Sequence, residues 1–428
     1  MSKPRNSKMG ISRRTVIQSG LALGVSAGIA PRRALAQAKP IKIGLTCDAT
    51  GAFADPGQAD QRGIILAIEE ANAKGGVLGR KLEYAVEDTE SDASAAVRKA
   101  QRLIERNEID FMVGAMSSAV AAPLSELGQR HGIIFCNTNS SSDTVTNAKC
   151  QRVNFAWDVN VTMLTNAIAE LVVTKLGTRW FFLTHDYAFG KSATAAGREL
   201  MKRVSAQEVG ELLIPQGTRD FSSQLLRIRS AKPDVVMVNL AGVELTAVRE
   251  QAYEFGAERD AAWVLTQQDF PDLFAVGVKK GFGYFLTTWH HTVDAAGAAA
   301  FVDRFSKRWA NAPISVPDNV SCNGYIATRE LLRAVERAGS TKTHDVVRQL
   351  EGHVIKDNFN AHPSTIREWD HAVTQTIYLA RTKREEHMKN KFDMVELIDS
   401  VAPEKIAPPR EASKCSMQSY ADTPNRGS

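Results

Sequence analysis

Five polar clusters stand directly behind five apolar runs, and their residue types suit the capture of a small charged solute. TCDATGAFADPG follows IKIGL and brings Phe53. Ser117-Ser118 follows FMVGAM, and Asn137 to Asp143, with Asn139, Ser140 and Ser141, follows GIIFC. His185-Asp186-Tyr187-Ala188-Phe189-Gly190 follows RWFFLT, and Gln267-Gln268-Asp269-Phe270 follows AWVLT. Ser118 stands where a helix should begin, with Pro123 in its first turns, so free backbone N–H groups and the helix dipole there favour a carboxylate. Ser140 and Ser141 add donors, Asp269 balances an ammonium group, and Tyr187 and Phe189 form an apolar wall. The same residue types also cap helices and make turns. The repetition of the pattern, not any single residue, carries this expectation.

Reactive chemistry has little support. No GxGxxG follows a strand, and neither HExxH nor GxSxG occurs. Gly190-Lys191-Ser192 looks like the end of a phosphate loop, but His185 stands where its first glycine would be. His290-His291 are adjacent, so a regular element cannot aim both at one ion, and no third ligand is suggested. His185-Asp186 is an acid/base pair without a nucleophile beside it. We therefore expect no enzyme, metal or cofactor. An exported amide or ester hydrolase using His185 is the catalytic alternative. Five cysteines without a CxxC leave one or two disulfides open. Cys136 with Cys150 is the first expectation. Cys415 has Cys322 or Cys150 as alternative partners, and Cys47 is the odd one.

The elements that must position these clusters alternate. IKIGLT (41–46) precedes a helical pattern with Ile64, Ala67, Ile68 and Ala71 on one face, closed by Gly75-Gly76. KLEYAVED (81–88), a helix through Ala96, Val97, Ala100, Leu103 and Ile104, then DFMVGAM, a helix and GIIFCN continue the series. A second series runs from RWFFLTHD (179–186) through DVVMVNL (234–240) and AWVLTQ (262–267) to GYFLTT (283–288). Such βαβ alternation implies parallel sheets with helices on both faces, and two series imply two lobes. The polar clusters then sit past the carboxyl ends of strands, where open α/β sheets bind ligands. Three belong to the first series and two to the second, so one ligand can touch both.

Residues 1–38 are a class apart. The charge-free run between Arg14 and Arg32 has 17 residues, diluted by Gly20, Gly24, Ser26 and Gly28. A spanning helix needs roughly 20. Small-x-small sites follow at Ala34-Leu35-Ala36 and Ala36-Gln37-Ala38, and Arg13-Arg14 follows Ser12, so we expect a cleaved export signal of the twin-arginine kind. Seven of the chain's 53 bases and none of its 48 acids lie there, so the remainder has 46 bases and a net charge of −2. Without a basic field, a nucleic-acid partner loses its support.

AIEEANAKGGVLGRKLEYAVEDTESDASAAV, together with IKIGLTCDATGAFADPG, FMVGAMSSAVAAPLSEL, GIIFCNTNSSSD and HDYAFG, resembles the periplasmic substrate-binding proteins of ABC transporters. The branched-chain amino acid (Leu/Ile/Val-binding) type is the most similar, over about residues 39–403. The resemblance implies an α/β fold of the type I periplasmic class, with two Rossmann-like lobes joined by three hinge crossings, near 157–160, 284–290 and 365–370. Lobe I would comprise 39–157 and 284–365. Lobe II would comprise 158–283 and 366–428, including a C-terminal tail that wraps the surface or is poorly ordered. The loop pattern and the resemblance together give an expected ligand site at Phe53, Ser117, Ser118, Asn139, Ser140, Ser141, Asp186, Tyr187, Gln268 and Asp269, of which the resemblance itself matches Ser118, Ser140, Ser141 and Gln268 or Asp269. Ser118 would hold a ligand carboxylate, and Gln268 or Asp269 would meet the ammonium group. The family's aromatic contact falls at Ala241 or Gly242 and is lost, which turns attention from leucine-like ligands to other small carboxylates, aromatic acids or amides. REWDHAV (367–373) looks like a branch with longer tails. The implied partners are a small-molecule ligand and ABC transporter permease subunits, for a monomeric periplasmic receptor. A sensory module of the same fold is the alternative.

Overall fold

The computed structural model describes residues 39–171 and 176–428. The export signal expected over 1–38 lies outside the described residues.

The first sheet comprises β1 (Ile41–Cys47), β2 (Leu82–Asp88), β3 (Phe111–Gly114), β4 (Ile134–Asn137) and β5 (Asn154–Ala156), parallel throughout, in the order β2-β1-β3-β4-β5. Its crossover helices are α1 (Ala54–Ala73), α2 (Ala93–Glu105) and α3 (Ser118–His131). β3 and β4 are buried at every residue. Helices cover both faces, which is why these strands read as continuous apolar runs without alternation.

After α4 (Val161–Leu171), the second sheet assembles from β6 (Arg179–His185), β7 (Gln207–Ile214), β8 (Val235–Asn239), β9 (Ala262–Leu265) and β10 (Tyr284–Thr287). Between them run α5 (Ala188–Arg203), α6 (Ser222–Ala231), α7 (Gly242–Glu254) and α8 (Phe270–Val276). The chain then adds α9 (Ala298–Arg308), α10 (Asn319–Ala338) and α11 (Thr343–Leu350) to the first lobe, followed by a small antiparallel sheet of β11 (Val354–Ile355), β12 (Ser364–Ile366) and β13 (Val373–Thr374). β14 (Ile377–Thr382) and β15 (Val395–Val401) return to the second sheet as antiparallel edge strands, giving the order β15-β14-β10-β9-β8-β6-β7. A short α12 (Pro403–Ile406) follows. Among the described residues no helix is long and apolar enough to cross a membrane.

α1 and α10 pack closely enough that a Cβ on Gly63 would lie 2.0 Å from the Ser321 carbonyl oxygen. A Cβ on Gly324 would lie 2.3 Å from Asp60 Oδ1. Asp318 starts α10 with a reciprocal cap: its Oδ1 accepts from Ser321 N (2.7 Å), and its own N–H donates to Ser321 Oγ (2.8 Å). This packing places Asn319 at the mouth between the lobes.

Two expected boundaries move. Tyr284–Thr287 is a strand of the second sheet, so the second crossing follows Thr287 and does not start at 284. Ile355, Phe359, Ile366 and Val373 pack into the first lobe's core, so the third crossing falls at Gln375-Thr376. Gln375 Nε2 donates to the Trp157 carbonyl (2.5 Å) and to Asn323 Oδ1 (3.2 Å), tying the first crossing to the third.

The tail, expected with lobe II, leaves it. Asn166 Nδ2 holds the Ile406 carbonyl on the second lobe (2.8 Å). Beyond Ser413 the chain lies on the first: Lys414 N–H donates to Asn147 Oδ1 (2.6 Å), Arg152 Nε to the Gln418 carbonyl (3.0 Å), and Thr341 N–H to the Ser428 carbonyl (2.8 Å). Tyr420 donates to Glu351 Oε2 (2.8 Å). The tail is thus a fourth tie between the lobes. REWDHAV serves it. Arg367 pairs with Asp370 and reaches the Pro408 carbonyl (3.1 Å), while His371 stacks on Phe155 at 4.1 Å.

The disulfide is Cys150–Cys415, not Cys136–Cys150. Cys136 sits in the middle of β4, inside the first core, where burial pushes its thiol up to about 12. Cys150 lies at the rim, facing the tail. Cys47, Cys136 and Cys322 are free and buried. We expect Cys415→Ser to lower stability by about 2–4 kcal/mol and to open residues 413–428 to limited proteolysis. Cys136→Ser should leave one disulfide by intact mass, and its loss would refute the pairing.

Candidate functional site

The polar clusters meet between the lobes. Ser117 caps α3, its Oγ accepting from Ala119 N (3.3 Å). Ser118, at the first helical position, is buried and its Oγ accepts from Ser140 Oγ (3.1 Å) and Ser142 N (3.3 Å). Its own hydroxyl proton is therefore left to donate to a third group, beside the N–H groups of the helix start. Asn139 lines the space, but its amide is already engaged by Asp60 Oδ1 (2.9 Å) and Asn323 (3.2 Å).

The facing wall comes from β6, β8 and β9. Tyr187 caps α5 and lies 6.5 Å from Phe53 and 6.2 Å from Phe189, ring centre to ring centre. No polar partner meets the Tyr187 hydroxyl among the described residues. Asp269 and Asp272 stand at the start of α8. Asp269 Oδ1 accepts from Asn319 Nδ2 of the first lobe (2.6 Å), and Asp272 Oδ2 from Gly242 N (3.1 Å). Gly242 is one of the points where the lobes touch. Its φ is 64°, and a Cβ there would sit 2.5 Å from the Ala52 carbonyl oxygen. That carbonyl accepts from Val243 N (3.3 Å). The close approach leaves no room at 242 for a side chain in place of the missing aromatic contact.

At the base, Ser141 of the first lobe, Asp158 of the first crossing and Gln267 of the second lobe form a triangle. Ser141 Oγ reaches Asp158 Oδ2 and Gln267 Oε1, both at 2.8 Å, and Gln267 Nε2 donates to Asp158 Oδ2 (2.7 Å). The space between atoms in the resulting cleft amounts to about 390 Å³, open solvent at its mouth included. Its apolar lining is Phe53, Met116, Tyr187, Phe189, Ala241 and Leu245, and its polar lining Ser118, Asn139, Ser141, Gln267, Asp269 and Asp272.

Of the expected residues, Phe53, Ser118, Asn139, Ser141, Tyr187 and Asp269 come together in this cleft. The others do not. Ser117 is a cap and Ser140 braces Ser118. Asp186 is exposed and pairs with Lys191 (2.8 Å). Gln268 turns away, taking Arg249 on its Oε1 and donating to the Asp269 carbonyl (2.8 Å). Successive residues of an extended segment point to opposite sides, so Gln267 faces the cleft and Gln268 does not. Asp272 was not anticipated, although it lies one helical turn after Asp269, a spacing that puts both on one face.

The charge on the wall is one-sided. No Lys, Arg or His lines the cleft among the described residues. Burial pushes the Asp269 carboxyl well up, with Asp272 and Asp158 adding to it. Burial takes Asp272 up to about 7, against the Gly242 N–H and with Asp55 and Glu244 adding. Asp158 rises to about 6, also by burial, against its donors Gln267 and Ser141. Arg249, buried behind, spends its hydrogen bonds on Gln268 and the Phe282 carbonyl.

His185 and Asp186 do not form an acid/base pair. The His185 ring is fully buried, makes no hydrogen bond among the described residues, lies 3.8 Å from Glu244 and is pushed down to about 4 by burial. It stays neutral while Asp186 faces water.

Comparison with known proteins agrees with this architecture. The periplasmic binding protein family profile matches residues 40–387. The chain is similar to Leu/Ile/Val-binding protein homolog 7 of Brucella abortus (strain 2308), with 26% identity over 329 residues, 73% of this chain and 80% of the relative. A crystal structure of a periplasmic binding protein from Burkholderia mallei superposes with a TM-score of 0.81 at 26% identity, covering 88% of this chain and 98% of that one. A solute binding protein from R. palustris, solved in complex with benzoate, shares the fold with a TM-score of 0.76 at 21% identity, over 88% and 99% of the two chains.

The raised Asp272 has a consequence for stability. Its folded value lies above the usual carboxylate range, so folding is favoured while it stays protonated and loses that contribution as pH rises toward about 7. We expect Asp272→Asn, which keeps an acceptor for Gly242 N, to raise the melting temperature of the ligand-free protein by about 2 °C or more at pH 7.5. The gain should shrink to about a quarter near pH 4.5, where an unfolded aspartate is still mostly ionised. An equal gain at both would contradict the assignment.

Proposed function

The chain belongs to the periplasmic binding protein family, and we propose that it is an exported monomeric receptor. On this reading it takes one small amino acid-like or carboxylate solute between its lobes and delivers it to the permease of an ABC transporter. The observation that carries the proposal is a cleft with walls from both lobes, where Phe53 and Ser118 face Tyr187, Phe189 and Asp269. A solute touching both walls favours the closed arrangement by its differential affinity for the two states. Ser118 and the α3 N-terminus suit a carboxylate or other acceptor. Asp269 suits an ammonium group, and the three rings suit an apolar body. Nothing covalent is required, and His185, the base of the hydrolytic alternative, is fully buried, weakened as a base by that burial and does not line the cleft. The Leu/Ile/Val-binding name of the Brucella relative and the benzoate in the R. palustris protein support a small organic solute. Export through a twin-arginine signal over 1–38 completes the reading.

A saturating ligand at about 100 times its dissociation constant should stabilise the protein by roughly 2.7 kcal/mol, and scattering should report contraction. Tyr187→Phe keeps the ring and removes an unbonded hydroxyl. We expect it to leave the ligand-free melting temperature unchanged and to weaken ligand binding about 3- to 10-fold. A lower melting temperature with undiminished affinity would make Tyr187 a packing residue and count against this cleft as the site.

A further inference from the structure

The receptor proposal leaves the solute's charge open, and the cleft's composition narrows it. Two carboxylates, Asp269 and Asp272, occupy one end of the space, 8% and 7% exposed. Each is held by a single neutral donor, Asn319 Nδ2 and Gly242 N respectively, so neither is ion-paired within the protein among the described residues. Asp158 adds a third buried carboxylate at the base. The charge of Arg249, buried behind the wall, acts on Asp272, but its hydrogen bonds go to Gln268 and the Phe282 carbonyl and it does not line the cleft. The same cleft is lined by an aromatic group, Phe53, Tyr187 and Phe189.

A buried carboxylate without a partner is unfavourable, and a cation is what relieves it. Aromatic faces also attract cations through the ring quadrupole. An anion such as a benzoate would bring a further negative charge into a space with no basic side chain on its wall. A neutral zwitterion offers one ammonium group to two carboxylates. We propose that the solute is a small organic cation of net positive charge, an amine or guanidine whose N–H groups donate to Asp269 and Asp272 while its carbon skeleton lies against Phe53, Tyr187 and Phe189. Asp272 is then the residue that separates this cleft from one suited to leucine or to benzoate.

This inference rests on the receptor reading, and one experiment separates the two. The mature protein is titrated by calorimetry and thermal shift with butane-1,4-diamine, agmatine and L-arginine as cations, L-leucine as zwitterion and benzoate as anion. The expected result is binding of at least one cation, with leucine and benzoate at least about 10-fold weaker. Asp272→Asn, chosen because it preserves shape and an acceptor, should weaken the cation by about 10- to 100-fold, the range for losing a hydrogen bond to a charged group. Asp186→Asn, a change to a solvent-facing carboxylate, should not. Tightest binding of leucine or benzoate overturns the cation assignment and leaves the receptor standing. So does a cation whose affinity is indifferent to Asp272→Asn. No binding by any probe overturns both.

Discussion

Everything in the cleft follows from carboxylates held out of water with too few partners. A carboxylate can accept several hydrogen bonds, and burying one is tolerable when they are supplied. Asp158 reaches that state with Ser141, Gln267, Asn323 and its neighbour's backbone, and so becomes the bolt joining both lobes to the first crossing. Asp269 and Asp272 stop short of it. Their remaining acceptor capacity faces the space between the lobes, and that shortfall gives the closed arrangement a reason to hold something.

The surrounding structure keeps that shortfall in place. Asn319 reaches Asp269 because α10 is drawn tightly onto α1 through Gly63 and Gly324. Gly242 brings the second lobe's backbone against Ala52, so Asp272 is clamped by the same contact that closes the cleft. Far from the site, the tail crosses from Ile406 on one lobe to Cys150 on the other. Opening the lobes must therefore move a covalently anchored strap as well as the three crossings. A larger motion asks more of the differential contacts a ligand makes in the closed state.

Much of the fold was legible. Alternating apolar runs and helical stripes located the two series from Ile41 to Thr288, because strands buried on both faces and amphipathic helices leave strong periodic signals. The candidate site was legible by loop and less so by residue. Knowing that Gln267 to Phe270 follows a strand placed the right segment, but which side chain faces inward depends on how the chain leaves the sheet, and Gln268 turned toward Arg249 instead. Ser117 and Ser140 carried the right chemistry and were used to build α3's start and to brace Ser118.

The sequence by itself determined the local terms: two α/β series, polar residues behind strand ends, and a chain that is nearly charge-neutral without residues 1–38. These depend on neighbours a few residues away, so periodicity and composition report them. Only the tertiary structure decided that Cys150 joins Cys415 across 265 residues, that Asn319 meets Asp269, and that Asp272 lines the same cleft as Phe53. Each is a contact between distant segments, set by how helices pack and where glycines admit close approach. No local pattern encodes which of several chemically suitable partners will arrive.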